Sequence, residues 1–313
     1  MFVAKDLETP SATEPAASVR RTEACAAGVL ADLIETPLAP GLYLVATPIG
    51  NLADITLRAI SILSRADAVY CEDTRHSAKL LQHYAIAART RPLHEHNEDR
   101  EIERVLGEVE AGKRIAVISD AGTPLLSDPG FRLVRAAASR GIDIFSIPGP
   151  SAALAALTSS GVPTDSFFFA GFLPAKEGAR RTRLAELARI PGSLVLFEAP
   201  HRLGEALQDM ADVLGNRPAV IARELTKLHE TLSRGPLLTL ADAFTREPVK
   251  GEVVIVIGAG EPKTVTDDEV EARFRELLSD MSLKDAAKAV AGELDIPKAR
   301  AYALGLKAKD QLS

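Results

Sequence analysis

The sequence predicts an α/β protein in which a parallel-sheet domain is followed by a mixed-sheet domain and then by a small helical unit. Three observations carry this. From residue 41 to residue 258, short β-branched and apolar runs alternate with stretches of helical periodicity, the mark of βαβ units. Several predicted strands end in turns rich in Gly, Pro and small polar residues, at 47–51, 119–124 and 148–151. Beyond residue 262 the strand pattern stops and only helical periodicity remains.

Length and composition bound the function. The chain has 313 residues, enough for two domains with appendages, and 46% of them are hydrophobic. Aromatics make up 4% and there is no Trp, which argues against a surface that reads bases mainly by stacking. Cys25 and Cys71 lie far apart, so neither a disulfide framework nor a Cys-based metal site follows, and a reducing, cytoplasmic setting fits. No apolar run is long enough to span a membrane. Residues 1–40 lack the apolar core of a secretory signal and read as a disordered tail. With three basic and six acidic residues this tail holds half of the net charge of −6, so the remainder is closer to neutral and bulk charge gives no support for RNA binding.

The first domain, 41–155, reads as strands at 42–47, 68–73, 91–95, 114–119 and 142–147. Helices at 55–64, 76–84, 98–111, 129–139 and 150–160 separate and follow them, Asp128 and Pro129 serving as N-cap and first helical residue of the fourth. The second domain, 156–262, reads as strands at 166–172, 193–198, 218–224, 230–234 and 252–258, with helices at 178–189, 201–214 and 239–245. The last of these strands is apolar throughout and is expected at the centre of its sheet, and Phe167, Phe168 and Phe169 as strand core. In the terminal unit, 263–313, Ser282 opens a helix as a capping-box-like turn and Pro297 begins another. The pattern suits a helix-turn-helix with six basic and four acidic residues over 281–313, as open to packing as to nucleic-acid contact.

In open α/β sheets ligands gather at the C-terminal strand ends. The turn Thr47-Pro48-Ile49-Gly50-Asn51 allows close backbone approach, although alone it is an ordinary βα turn. The turn Ser119-Asp120-Ala121-Gly122-Thr123-Pro124 is more specific, because a tight turn does not need that many special residues. Neither a Walker A sequence nor a Gly-x-Gly-x-x-Gly follows a strand, so a nucleotide-like cofactor needs another route.

Eight runs then occur in order: LVATPIGNLADIT, YCEDTRHSAKLL, HEHNE, ISDAGTPLLSDPG, IPGPSAALAAL, FEAPHR, ARELTKLHE and GEVVIVIGAG. Together they resemble the branch of the tetrapyrrole (corrin/porphyrin) methylase superfamily that methylates small-subunit ribosomal RNA. The resemblance runs from about residue 41 to 260, and the helical tail is also similar to that of the branch. It implies a two-domain tetrapyrrole-methylase-like fold, S-adenosylmethionine held between the domains, and a homodimer. It further implies 2′-O-methylation of a decoding-region cytidine of 16S rRNA, cytidine 1402 in the family's designation, within the 30S subunit. Carried onto this chain, the cofactor site comprises Pro48 and Ile49, then Asp120, Gly122, Thr123 and Pro124, then Ser151 and Ala152. The second domain adds Phe197, Ala199, Ala222, Arg223, Gly251 and Glu252. Ser119 stands where superfamily relatives carry Gly, which reduces backbone freedom in that turn.

A ribose hydroxyl is a poor nucleophile, so a general base or a cation beside the developing alkoxide is expected. Asp73, Glu224 and Lys227, on motifs specific to the branch, are the catalytic candidates, and the sequence does not choose among them. Arg75, His94, His96 and Asn97 are expected on the substrate side. For Glu72 to Arg75 the bland alternative is a salt bridge with Thr74 as helix N-cap. His94 and His96 alternate onto one strand face, yet no third ligand has suitable spacing, so no metal is expected. Arg180, Arg181 and Arg183 form a basic stretch that suits either a solvated helix face or a phosphate-tracking surface. Two rivals remain, a small-molecule tetrapyrrole methylase and a non-catalytic RNA-binding module on a methylase scaffold.

Overall fold

The computed structural model describes residues 15–94, 97–260, 266–279, 281–294 and 296–312. Residues 1–260 and 261–313 are two compact units.

In the first unit, five parallel strands, β1 (Gly41–Val45), β2 (Ala68–Cys71), β3 (Thr90–Pro92), β4 (Arg114–Ile118) and β5 (Ile144–Ile147), form a sheet in the order β3-β2-β4-β1-β5. Each connection carries a helix: α2 (Leu57–Arg65), α3 (Thr74–His83), α4 (Glu98–Glu110) and α5 (Phe131–Ser139). Alternation sets the two faces. Ala116 and Ile118 of β4 pack in one cluster with Val45 and Ile62, and Ile115 and Val117 pack in another with Leu106 and Leu133. The order of strand addition reverses where β4 returns between β2 and β1, so the turns after β1 and β4 flank the crevice that this topology leaves for a ligand.

Helix α6 (Ala152–Ser160) leads to a mixed sheet of order β6-β7-β10-β8-β9. Its strands are β6 (Phe167–Phe172), β7 (Ser193–Glu198), β8 (Pro218–Arg223), β9 (Thr231–Pro236) and β10 (Val253–Ile257). β10 is central as expected: Val253, Ile255 and Ile257 face a core shared with α7 (Glu177–Leu187), α8 (Leu203–Leu214) and α9 (Leu237–Arg246), while Val254 and Val256 face α6. Ile49, from the turn after β1, is 5% exposed and packs in that second cluster. The first sheet's turn is thereby anchored in the second sheet's core.

Four sequence expectations need correction. The tail was expected to be disordered over 1–40; residues 1–14 lie outside the described residues, but Pro15–Glu35 form helix α1. Six alanines favour the helix, and Arg65 of α2 donates to the Ile34 and Thr36 carbonyls at its C-terminal end while the Ser61 hydroxyl donates to the Leu33 carbonyl. Second, Asp128 does not cap α5. Gly130, at φ +118°, is the N-cap, and the buried Glu98 carboxylate accepts from the Arg132 and Leu133 amides. Third, Asp73 rather than Thr74 caps α3, accepting from the Arg75 amide at 2.8 Å. Fourth, Phe167 and Phe168 are 43% and 37% exposed on the edge strand β6, and only Phe169 of the three packs into the core.

In the second unit, α10 (Asp267–Leu277), α11 (Leu283–Glu293) and α12 (Lys298–Leu312) bury Val270, Phe274, Val290, Ala301 and Leu304 against one another. Ser282 caps α11, and a full capping box joins Thr266 and Glu269 at the start of α10.

Candidate functional site at the ends of β1 and β4

The turns after β1 and β4 are stitched together by backbone. The Thr47 amide donates to the Gly122 carbonyl at 2.9 Å and the Gly122 amide returns to Thr47 at 3.0 Å. The Thr47 hydroxyl donates to the Ser119 carbonyl, and the Ser119 hydroxyl donates to the Gly122 carbonyl. Gly122 holds φ +82°, and a Cβ there would press on Ile49 Cγ2 at 3.3 Å. The Ser119 hydroxyl thereby closes the turn on itself.

Beside this bridge lies a cavity of about 490 Å³. Pro48, Ile49 and Leu52 from the first turn and Leu80 from α3 supply apolar wall. Asp120, Glu252 and Lys227 supply charge, with His76, Ser77 and Lys79 along α3. The size is that of a small-molecule site, and apolar wall with two carboxylates and two ammoniums suits a ligand with an apolar body and a zwitterionic end. His76, Ser77 and Lys79 were not anticipated. Their signal was topological, since α3 starts at the C-terminal end of β2, the strand beside β4.

The loop between β8 and β9 closes one side. Glu224 and Thr226 hold left-handed φ of +53° and +65°, costly for residues with a Cβ. The Thr226 hydroxyl accepts from the Asn51 amide at 3.1 Å, and the Thr226 amide donates to Glu230 at 2.7 Å. Lys227 crosses so close to Gly50 that a Cβ on that glycine would meet Lys227 Cγ at 2.5 Å. The Lys227 ammonium donates to Glu224 Oε1 at 2.9 Å and pairs with Glu252 Oε2 at 3.2 Å. Burial works against its charge, but the two carboxylates outweigh it and hold its pKa above the usual lysine value. The Glu252 amide donates to Glu224 Oε1 at 2.8 Å, and that bond, with the Lys227 ammonium, holds the Glu224 carboxyl below the usual range.

The expected cofactor residues divide. Pro48, Ile49, Asp120 and Glu252 line the cavity, and Gly122 forms the bridge beside it. The Thr123 hydroxyl donates to the Pro150 carbonyl, and Pro124 borders a small recess with Glu72 and Asp128. Ser151 caps α6, which Ala152 begins. Phe197 packs edge-on to Phe169 and Phe172, and the Ala199 amide is satisfied by Glu198. Ala222 is fully buried and paired with Val254 on one side and Leu232 on the other, so it offers a ligand no surface. Arg223 and Gly251 line a separate open groove.

The catalytic and substrate candidates divide as well. Of Asp73, Glu224 and Lys227, only Lys227 lines the cavity. Asp73 accepts from the Arg75 guanidinium and amide, which hold its carboxyl below the ordinary range, while its own amide donates to Asp120 Oδ1. Arg75 is 90% exposed. β3 ends at Pro92, so His94 lies beyond the strand rather than on its face, and His96 lies outside the described residues. The Asn97 side chain accepts from the His94 amide and donates to the Pro92 carbonyl, which commits it to holding that loop. Arg180 is a correction. It is 4% exposed and its Nε meets Asp209 Oδ2 at 2.6 Å, so it is a core ion pair and cannot reach a phosphate. Arg181 bridges Asp209 and Asp212, and Arg183 pairs with Glu186. The stretch read as basic is therefore matched by acids on α8 and its own helix, which linear sequence does not display.

Asp128, freed from capping, turns inward. Burial, with Glu72 and Asp120 adding negative charge nearby and Ser119 opposing by hydrogen bond, pushes its pKa up to about 6.

Residues 41–241 match the family model described as Tetrapyrrole (Corrin/Porphyrin) Methylases, and the chain belongs to that family. Residues 264–309 match the model of the RsmI C-terminal HTH domain. A relative from Mesorhizobium japonicum named ribosomal RNA small subunit methyltransferase I is 48% identical over 276 residues, 88% of this chain and 94% of that one. The protein of the same name from Vibrio cholerae is 44% identical over 276 residues, 86% of this chain and 95% of that one. Within the methylases, then, the chain is a member of the ribosomal RNA small subunit methyltransferase I family. Among solved structures, a cobalt precorrin-4 methyltransferase superposes with a TM-score of 0.53 at 19% identity, over 71% of this chain and 96% of that one, a likeness of fold.

Proposed function

We infer that the chain transfers the methyl group of S-adenosylmethionine to the ribose 2′-hydroxyl of a decoding-region cytidine in 16S rRNA. Family membership supports the coarse reading, an S-adenosylmethionine-dependent rRNA methyltransferase, and the helix-turn-helix match supports a polynucleotide substrate. The observation that carries the finer reading is Lys227, a charged amine on the wall of the cavity, held by two carboxylates across from the Asp120 turn.

S-adenosylmethionine supplies a methyl carbon already activated by its sulfonium, so the chain has to align two reactants and make a sugar oxygen nucleophilic. Pro48, Ile49 and Leu52 give the apolar seat, and Asp120 and Glu252 give negative charge suited to a sulfonium amino acid. Neither Asp73 nor Glu224 is a strong proton acceptor, because each is held ionised by its partners. Lys227 acts instead as a fixed cation beside the 2′-oxygen. It stabilises negative charge as that oxygen attacks, and the hydroxyl proton passes to water at the open mouth.

The same reading takes the 30S subunit as substrate, a homodimer as the working form and the cytoplasm as the setting. It divides the chain into domains at 41–155, 156–262 and 263–313. Incubation with methyl-labelled S-adenosylmethionine and unmodified 30S subunits, followed by nuclease mapping and mass spectrometry, tests it. The expected product is one cytidine methylated on its ribose. Label on a base nitrogen or carbon contradicts it.

A further inference from the structure

Behind the Glu224–Lys227 pair lies a second, open groove of about 500 Å³, bordered by Arg223, Glu224, Leu228, His229, Glu230 and Lys250. It adjoins the first cavity along the chain. Lys227 and Glu252 face the cavity, while their neighbours Leu228 and Gly251 face the groove. A polymer with one residue in the cavity therefore meets this groove next.

Its charge balance is basic once internal pairing is taken into account. Lys227 offsets the charge of Glu224, while Glu230 keeps its own and accepts from the Thr226 amide, so Arg223 and Lys250 leave the border net positive. Arg223 is oriented from one side, with Nε donating to the Thr231 hydroxyl at 3.2 Å and Nη1 to the Lys250 carbonyl at 3.3 Å. Lys250 and His229 are both exposed along the border. Leu228 is 93% exposed, and a leucine held out in water next to cations is what a sugar or base face could cover.

We propose that this groove binds the phosphodiester backbone of the RNA strand beside the methylated ribose. Arg223 and Lys250 contact phosphate, His229 adds a donor, and Leu228 packs on the neighbouring sugar or base. Phosphate contacts fix register without reading sequence, which is what the aiming of one sugar at the cavity requires. The proposal rests on the rRNA methyltransferase reading. It also moves Arg223 from the cofactor, where sequence likeness put it, to the substrate.

The test pairs Lys250→Ala/His229→Ala with Leu228→Asp. RNA affinity is read by fluorescence anisotropy on a decoding-region 16S RNA hairpin at several salt concentrations. S-adenosylhomocysteine affinity, by calorimetry, is read alongside. The double variant is expected to bind RNA about tenfold more weakly, with a salt slope smaller by about one, and Leu228→Asp about fivefold more weakly. S-adenosylhomocysteine binding is expected to stay within about twofold of the parent. Unchanged RNA affinity and salt slope overturn the groove and leave the methyltransferase reading standing. If the double variant loses cofactor binding as well, the exposed Leu228→Asp decides, and unchanged RNA affinity there overturns the proposal. A parent that binds S-adenosylhomocysteine but neither the hairpin nor unmodified 30S subunits overturns both.

Discussion

Lys227 Nζ lies 2.9 Å from Glu224 Oε1, and Glu224 holds that position from a left-handed backbone, φ +53°. The strain is offset by a carboxylate that grips both the ammonium and the Glu252 amide, which is the preorganisation expected of a cation set against developing charge.

Lys227→Ala is therefore expected to lower kcat by about 100-fold or more while S-adenosylhomocysteine affinity changes little. Single-turnover methylation of 30S subunits with calorimetry alongside measures both. A loss confined to KM removes Lys227 from the chemistry.

Glu224→Gln is expected to act through Lys227. Burial lowers the Lys227 pKa and the two carboxylates more than restore it, so removing one charge moves the pKa down. The alkaline limb of the kcat/KM profile, where the amine loses its proton, then shifts to lower pH. An unshifted limb separates Glu224 from Lys227.

Gly251 stands at φ +96° with its Cα against the Glu224 side chain, and a Cβ there would overlap the carboxylate. Gly251→Ala combines backbone strain with eviction of Glu224 and is expected to cost about 2 kcal/mol or more in urea unfolding, together with the Lys227-dependent rate. Unchanged stability and rate would mean that the loop relaxes freely.

Arg180→Ala leaves Asp209 buried beside Arg181 alone and is expected to destabilise by about 3 kcal/mol or more. RNA affinity of the folded fraction should be unchanged. Weaker RNA binding without loss of stability would restore the phosphate-tracking reading of this helix.

Asp128 sets a pH dependence of stability. Its native pKa, about 6, is above the ordinary aspartate value of 3.8. Above pH 6 the native state holds an ionised carboxylate in a disfavoured place. As pH falls from 6 toward 3.8 the native state takes up the proton before the unfolded chain does, and stability is gained. Asp128→Asn should thus be more stable than the parent at pH 8 and lose that advantage near pH 4 in parallel denaturation curves. A constant difference across that range contradicts it.

What the sequence showed and what it hid follow from range. The unbroken apolar run of β10 and the turns after β1 and β4 are local patterns, and they correctly gave both sheets, the central strand and the edge at which the cavity lies. Partners distant in the chain were hidden. Asp209, 29 residues from Arg180, makes a core ion pair of a side chain that the sequence left open between a solvated helix face and a phosphate contact. Glu98 displaced Asp128 from the cap of α5 and left its carboxyl to face Glu72 and Asp120. Helix α1 was missed because its polar, Ala-rich composition resembles that of disordered chain, while the Ser61 and Arg65 side chains that tether it lie on α2.

S-adenosylmethionine is expected in the cavity between the Thr47–Leu52 turn, the Asp120 turn and Lys227. Titration calorimetry with S-adenosylhomocysteine, on parent and on Asp120→Trp with folding checked by circular dichroism, tests it most directly. Saturable binding at one site per chain is expected for the parent and none for the variant. Equal affinity in both, or no binding by the folded parent, contradicts it.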